Sequence, residues 1–209
     1  MAAYLGYEFV DAADVIRFDK NGNLDAEKTD RLLSKKLAKC ERAVIPGFYG
    51  AGEDGKVKTF SRGGSDVTGS LVAKAIKADL YENWTDVSGF LVTDPRIVKN
   101  PEVIESITYR ELRELSYMGA TVLHEDAIFP VRSKGIPINI RTTNRPEDRG
   151  TMIVPQSDYY NYETVITGIA GKKGLSVLNI EKDMMNSEIG FGRKVLEVLE
   201  TNNINFEHL

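Results

Sequence analysis

The chain has 209 residues, enough for one full domain plus a smaller piece, or for one large domain. Its 27 Lys+Arg and 31 Asp+Glu give a net charge of −4 with the basic residues scattered, which speaks against a general binder of nucleic acid or of a membrane surface. Cys40 is the single cysteine, so no internal disulfide can form, and His124 and His208 without a cysteine pair leave no zinc-site spacing. No apolar run approaches the roughly 20 residues that span a bilayer, and Met1–Gly6 has neither a basic nor a long apolar targeting region, so a cytoplasmic protein is expected.

In chain order, Phe9 to Ile16 reads as short extended segments leading to Asp19-Lys20-Asn21-Gly22-Asn23, a turn signal. From about Asp25 to Lys39 the spacing of Leu32, Leu33 and Leu37 predicts a helix with a solvated charged face. Ala43-Val44-Ile45 reads as a buried strand, stopped by Pro46-Gly47. A glycine-rich stretch then leads to the strand-like Lys56 to Phe60. Ser61 to Asp66 opens a helix whose stripe is Val67, Leu71 and Ala75, widened by Val72 and Ile76, with Ser65 as its expected N-cap. Leu80 to Trp84 is the next strand. Thr108 to Met118 is helical with Gly119 as C-cap, Glu125 to Ser133 is a second helix, and Ile136 to Ile140 is a strand. The alternation predicts an α/β domain with a mostly parallel sheet covered on both faces. The polar stretch 146–158 ends in an expected linker near Ser157. Beyond it, Thr164–Ile169, Leu175–Ile180 and Ile204–Phe206 read as strands and Gly192–Glu200 as a helix, a β-β-α-β run suggesting a ferredoxin-like unit cut short.

Four segments invite a chemical reading. Gly50-Ala51-Gly52-Glu53-Asp54-Gly55-Lys56-Val57 satisfies G-x-G-x-x-G and nearly a Walker A, but Val57 stands where a magnesium-binding Ser/Thr belongs. Because the following residues look extended rather than helical, a turn between strands is preferred to a phosphate cradle. In Ser61-Arg62-Gly63-Gly64-Ser65-Asp66 two glycines allow close backbone approach and the helix start suits an anion. Arg62 can clamp a carboxylate and Asp66 can hold an ammonium group. A capped helix with a surface Arg–Asp pair fits the same residues, and local sequence leaves both readings open. Trp84-Thr85-Asp86 with Thr93-Asp94-Pro95-Arg96 places a hydroxyl, a carboxylate and a cation after a strand, where open α/β sheets bind ligands; a strand-ending turn is the alternative. His124-Glu125-Asp126 lacks a partner at i+4 and is read as structural, so no metal site is expected.

These strings, in this order, resemble aspartokinases: Val44-Ile45-Pro46-Gly47-Phe48-Tyr49-Gly50, Ser61 to Asp66, Trp84-Thr85-Asp86, Thr93 to Arg96, Leu115 to Ala120 with Val122-Leu123-His124, Ile136 to Ile140, and Gly150-Thr151-Met152-Ile153. The resemblance covers about residues 44–154, while 160–209 resemble the first part of the family's regulatory ACT domain. It implies the amino-acid-kinase fold, an α/β three-layer sandwich like that of carbamate kinase. Residues 1–157 would be the carboxyl-terminal, nucleotide-binding part of that domain, and 158–209 a partial ferredoxin-like ACT domain. It implies transfer of the ATP γ-phosphate, with Mg2+, to the side-chain carboxylate of L-aspartate, the opening step toward lysine, threonine and methionine. By the family's pattern Arg62 and Asp66 are catalytic and bind aspartate, with Phe48, Gly64 and Ser65 lining that site. Thr85, Asp86, Arg96, Thr121 and Val122 fall on the ATP side, and Met185, Gly190 and Phe191 become candidate contacts for lysine or threonine as effector. A homodimer paired through ACT units is also implied.

The sequence departs from the family in places. No Lys-x-Gly-Gly string is present, Leu91 stands where many relatives have a nucleotide-stacking tyrosine, and Thr121 where many have lysine. The chain is therefore expected to be a fragment that does not turn over alone. A non-catalytic amino-acid-binding module, or a kinase of the same fold with another acceptor, are the competing readings.

Overall fold

A computed structural model describes residues 1–117, 125–155, 166–171 and 174–206. The chain divides into two compact units, Met1–Lys172 and Lys173–Leu209. The boundary expected between 157 and 158 lies outside the described residues.

The first unit begins with a short helix α1 (Ala2–Leu5), strand β1 (Glu8–Phe9) and a single helical turn α2 (Ala12–Val15). The extended reading of Phe9 to Ile16 thus fails over Ala12–Val15. Asp11 accepts a hydrogen bond from the Ala13 N–H at 2.9 Å, and this cap on an Ala-Ala start outweighs the apolar run that suggested a strand. Asp19 Oδ1 then accepts from the N–H groups of Asn21 (2.9 Å) and Asn23 (2.8 Å), closing the predicted turn. Helix α3 (Ala26–Leu37) is capped by Asp25 and buries Leu33 and Leu37. Strand β2 (Ala43–Val44) pairs in parallel with β1.

Strands β3 (Tyr49–Ala51) and β4 (Val57–Thr59) form an antiparallel hairpin. The Gly50–Gly55 motif is therefore hairpin strand and turn. No helix follows it, so it lacks the convergent N–H groups of a nucleotide cradle. Helix α4 (Gly64–Ile76) begins one residue before the expected cap: Gly63, at φ 57°, is the N-cap, and Ser65 lies inside the first turn.

The main sheet holds β5 (Tyr81–Thr85), β6 (Ser106–Thr108), β7 (Ile138–Thr142) and β8 (Thr151–Val154) in the order β5-β7-β8-β6. β5 runs parallel to β7 and β6 to β8, but β7 and β8 are antiparallel. The sheet is thus mostly parallel, as expected, and the reason for its one antiparallel join is chain length: residues 143–150 are too few for the dozen or so that a parallel crossover needs. The polar stretch read as leading into a linker contains β8, with Thr151 and Ile153 fully buried. Helices α5 (Tyr109–Tyr117) and α6 (Glu125–Arg132) complete the unit, and α4 packs against both α3 and α6. The core runs from Val10, Ile16 and Leu33 through Val67 and Leu71 to Ile138, Ile140 and Ile153.

A reciprocal cap starts α5. The Glu111 carboxylate accepts from the Thr108 N–H (2.9 Å) and hydroxyl (2.7 Å), while the Glu111 N–H donates to Thr108 Oγ1 at 3.2 Å. The buried Tyr109 hydroxyl donates to the Ile136 carbonyl at 2.5 Å, tying α5 to the residues before β7. Burial holds this phenol protonated by pushing its pKa well above the usual range. Tyr109→Phe strands that carbonyl, and chemical denaturation is expected to show a loss of about 1–3 kcal/mol. Residues 166–169, the described part of the expected strand Thr164–Ile169, pack within this first unit. Thr167 donates to Glu111 at 2.6 Å and the Ile169 N–H to the Val92 carbonyl at 2.6 Å.

Among its described residues the second unit has a 3-10 turn (Met185–Ser187) and helix α7 (Phe191–Thr201), and no strand. The helix matches the prediction for Gly192–Glu200. The strands expected at Leu175–Ile180 and Ile204–Phe206 are not formed. A strand exists only through a neighbour that takes its backbone hydrogen bonds, and Val177 (97% exposed) and Leu178 (70%) meet nothing that would cover them.

Candidate active site

The site is built on the N-terminal end of α4. The loop entering β3 lies against it: the Phe48 N–H donates to Thr68 Oγ1 at 3.2 Å, and that buried hydroxyl donates to the Gly64 carbonyl at 2.8 Å. The Phe60 N–H closes the other side, donating to the Phe48 carbonyl at 3.0 Å. The approach demands glycine at 64, since a Cβ there would lie 2.8 Å from Phe48 Cα and 3.0 Å from Phe60 Cβ. Phe48, at φ 69°, turns its exposed ring edge-on to Tyr49 with centroids 5.5 Å apart.

Arg62 is exposed and makes no ion pair or hydrogen bond among the described residues. Its five donors are therefore uncommitted, next to the first turn of α4, whose N–H groups have no partner within the helix. Asp66 is held. Asn83 Nδ2 donates to its Oδ1 at 3.0 Å and also to the Tyr81 hydroxyl at 3.0 Å, and that hydroxyl donates to the Asp66 carbonyl at 3.3 Å. An Arg62–Asp66 surface pair, the bland alternative, is not formed.

Strand alternation relates this corner to the next. Tyr81, Asn83 and Thr85 share one face of β5, and the burial pattern marks it as the covered one, with Glu82 and Trp84 exposed opposite. Thr85 thus lies on the Asp66 side of the strand, one repeat beyond Asn83 at the carboxyl end. Its hydroxyl donates to Asp86 Oδ1 at 3.2 Å, and its carbonyl accepts from Thr143 N–H (2.9 Å) and hydroxyl (3.2 Å). Trp84 is stacked beneath Arg141, 4.6 Å from guanidinium carbon to ring centroid, on the opposite face.

Arg96, expected to meet nucleotide phosphates, folds back on Asp94 in a forked pair at 3.0 and 2.6 Å. Thr121 and Val122 lie outside the described residues. In the second unit Met185 lies in the 3-10 turn, Gly190 caps α7 at φ 78°, and the Phe191 ring lies under Lys182 Nζ at 5.3 Å. Glu188 on the same loop is paired with both Lys182 and Lys194. Sequence reading missed Tyr81, Asn83 and Thr68. The period-2 alternation of Tyr81–Thr85 could have found the first two, whereas Thr68 is visible only once the Phe48 loop is in place.

The sequence pattern of the amino acid kinase family matches residues 2–142. Aspartokinase 3 of Bacillus subtilis (strain 168) is 41% identical over 217 residues, covering 100% of this chain and 47% of the relative. Among solved structures, aspartate kinase from Clostridium acetobutylicum is similar at TM-score 0.83 and 55% identity, over 99% of this chain and 47% of that one. E. coli aspartokinase III in complex with aspartate and ADP is similar at TM-score 0.65 and 29% identity, over 73% of this chain and 35% of that one. The same enzyme in complex with lysine and aspartate gives TM-score 0.64 and 25% identity over 95% and 45%. The chain thus spans about half the length of these relatives. By the family pattern carried over most of its first unit, the chain belongs to the amino acid kinase family.

Proposed function

We propose that this chain supplies the aspartate-binding and nucleotide-binding corner of an aspartate kinase, which transfers the ATP γ-phosphate to the side-chain carboxylate of L-aspartate to give 4-phospho-L-aspartate. The observation that carries this reading is the presence, at the head of α4, of an uncommitted Arg62 and a fixed Asp66, the latter on the side of β5 that ends in Thr85–Asp86. The similarity to an aspartokinase solved with aspartate and ADP supports it.

The reaction joins two anions, so their repulsion is the main obstacle. Arg62 and the positive end of α4 offset the charge of the aspartate carboxylates, and Asp66 takes the α-ammonium. Phe48 and Gly64 shape the wall, and Ser65 adds a hydroxyl at the helix head. Thr85 and Asp86 hold the nucleotide, with Arg96 free to exchange Asp94 for a phosphate. Positioning and charge neutralisation, rather than covalent participation by the protein, then supply most of the acceleration. Among the described residues no group of three or more His, Cys, Asp or Glu is gathered as for a metal. Magnesium is read as part of the MgATP substrate, and no step is assigned to a resident ion.

The second unit is proposed as part of an ACT-type regulatory domain in which the Met185–Phe191 loop takes lysine or threonine and which pairs two copies in a homodimer. The lysine complex of E. coli aspartokinase III supports lysine as the first effector to test. A cytoplasmic setting, where ATP and aspartate are both plentiful, belongs to the same reading. Calorimetric titration of the chain is expected to show binding of L-aspartate and ATP, and none of L-glutamate or UMP. Absence of aspartate binding, or equal binding of glutamate, rejects the assignment.

A further inference from the structure

We infer that Asn83, braced by Tyr81, is a positioning residue that sets the Asp66 carboxylate for the α-ammonium of the substrate, and so gives the site its preference for an amino acid over a plain dicarboxylate. This rests on the aspartate reading of the site given above.

The proton inventory is closed. Asn83 has two amide N–H bonds, one directed to Asp66 Oδ1 (3.0 Å) and one to the Tyr81 hydroxyl (3.0 Å). The Tyr81 hydroxyl, having accepted that bond, spends its only proton on the Asp66 backbone carbonyl (3.3 Å). Both ends of Asp66 are thus tied to β5. Oδ1 is occupied, while Oδ2 has no partner among the described residues and is left to meet a cation. Asn83 is 8% exposed, so its amide cannot be replaced by water at no cost, and the carboxylate that it orients keeps one geometry. Burial, first, and the Asp66 charge keep the Tyr81 phenol protonated against the weaker opposing effect of its bond from Asn83, so it remains a donor.

The helix is built to admit this brace. Gly69 lies in the interior of α4, where glycine costs about 1 kcal/mol relative to alanine. It stands one turn beyond Asp66, on the same face. A Cβ at 69 would lie 2.5 Å from the Tyr81 hydroxyl oxygen and 2.8 Å from two ring carbons. The glycine therefore has a reason: it leaves the room in which the Tyr81 ring passes beneath the helix to reach Asp66. Together Gly69, Tyr81 and Asn83 form a support for one carboxylate oxygen that neither a simple helix cap nor core packing requires.

The test compares L-aspartate with succinate, which carries both carboxylates and no ammonium group. Calorimetry on the full chain is to be run for wild type, Asn83→Leu, Asn83→Gln and Tyr81→Phe. Asn83→Leu is expected to weaken L-aspartate about tenfold, in line with loss of a hydrogen bond to a charged group, and to leave succinate unchanged. Tyr81→Phe shows the same selectivity with a smaller effect, and Asn83→Gln, which keeps the amide, recovers part of the loss. Equal weakening of both ligands, or of neither, overturns the positioning role. Wild type that binds succinate as tightly as aspartate also overturns it, and wild type that binds neither rejects the aspartate reading and this inference with it.

Discussion

Arg62→Ala is expected to weaken L-aspartate binding about 100-fold while leaving the stability of the chain unchanged. Two parallel bonds from a guanidinium to a carboxylate are charge-assisted, each contributing about 1.5 kcal/mol or more, and each 1.4 kcal/mol is about a factor of ten in affinity. The folded protein loses nothing in exchange, because the exposed Arg62 side chain has no hydrogen-bond or ion-pair partner among the described residues. Such a surface change shifts stability by no more than about 0.5 kcal/mol. Arg62→Lys restores the charge but not the planar fork, so it recovers only part of the affinity. Succinate falls in parallel with aspartate, in contrast to the Asn83 variants, since Arg62 is assigned to carboxylate. The checks are calorimetry and a thermal melt on the same preparations. A lowered melting temperature with unchanged affinity would reassign Arg62 to folding and remove the cation on which the kinase reading depends.

Ile140→Ala is the converse case, with its primary effect on stability. Ile140 is fully buried on the middle of β7, in register with Asn83 of β5 on one side and Thr151 of β8 on the other. Truncation removes packing from both neighbours, and the close-packed interior relaxes only in part around the cavity. A loss of about 4 kcal/mol is expected from urea denaturation, against about 1 kcal/mol for Ile140→Val. Thr151 shares in this loss, because its buried hydroxyl accepts from the Phe90 N–H (2.9 Å) and donates to the Ile104 carbonyl (2.6 Å). A cavity beside it loosens the connection to the loop after β5. A cost below about 1 kcal/mol would show that the sheet is not the cooperative centre of the first unit.

These two positions show what kinds of information the chain carries. Local signals served well where the cause was local. The Asp25 cap and the Leu33–Leu37 spacing give α3, the Asp19 turn gives its two bonds, and the apolar stripe of Val67 and Leu71 gives α4. Chemistry-bearing strings such as Ser61–Asp66 stood out as candidates, but local sequence left a capped helix with a surface Arg–Asp pair equally open. They could not say whether Arg62 pairs with Asp66. That depended on Asn83, seventeen positions later, claiming the carboxylate first.

By itself, the sequence determined the single cysteine, the absence of a long apolar run, helices α3 to α7, the hairpin in place of a phosphate cradle, and the residues from which a carboxylate site could be made. Only the tertiary structure decided the antiparallel join of β7 to β8 and the unformed strands at Leu175–Ile180 and Ile204–Phe206. It also decided which face of β5 supports Asp66. The physical reason is common to these cases. Periodicity and capping act between residues a few positions apart, whereas a strand, a buried amide or an oriented carboxylate takes its state from a partner that chain order does not name.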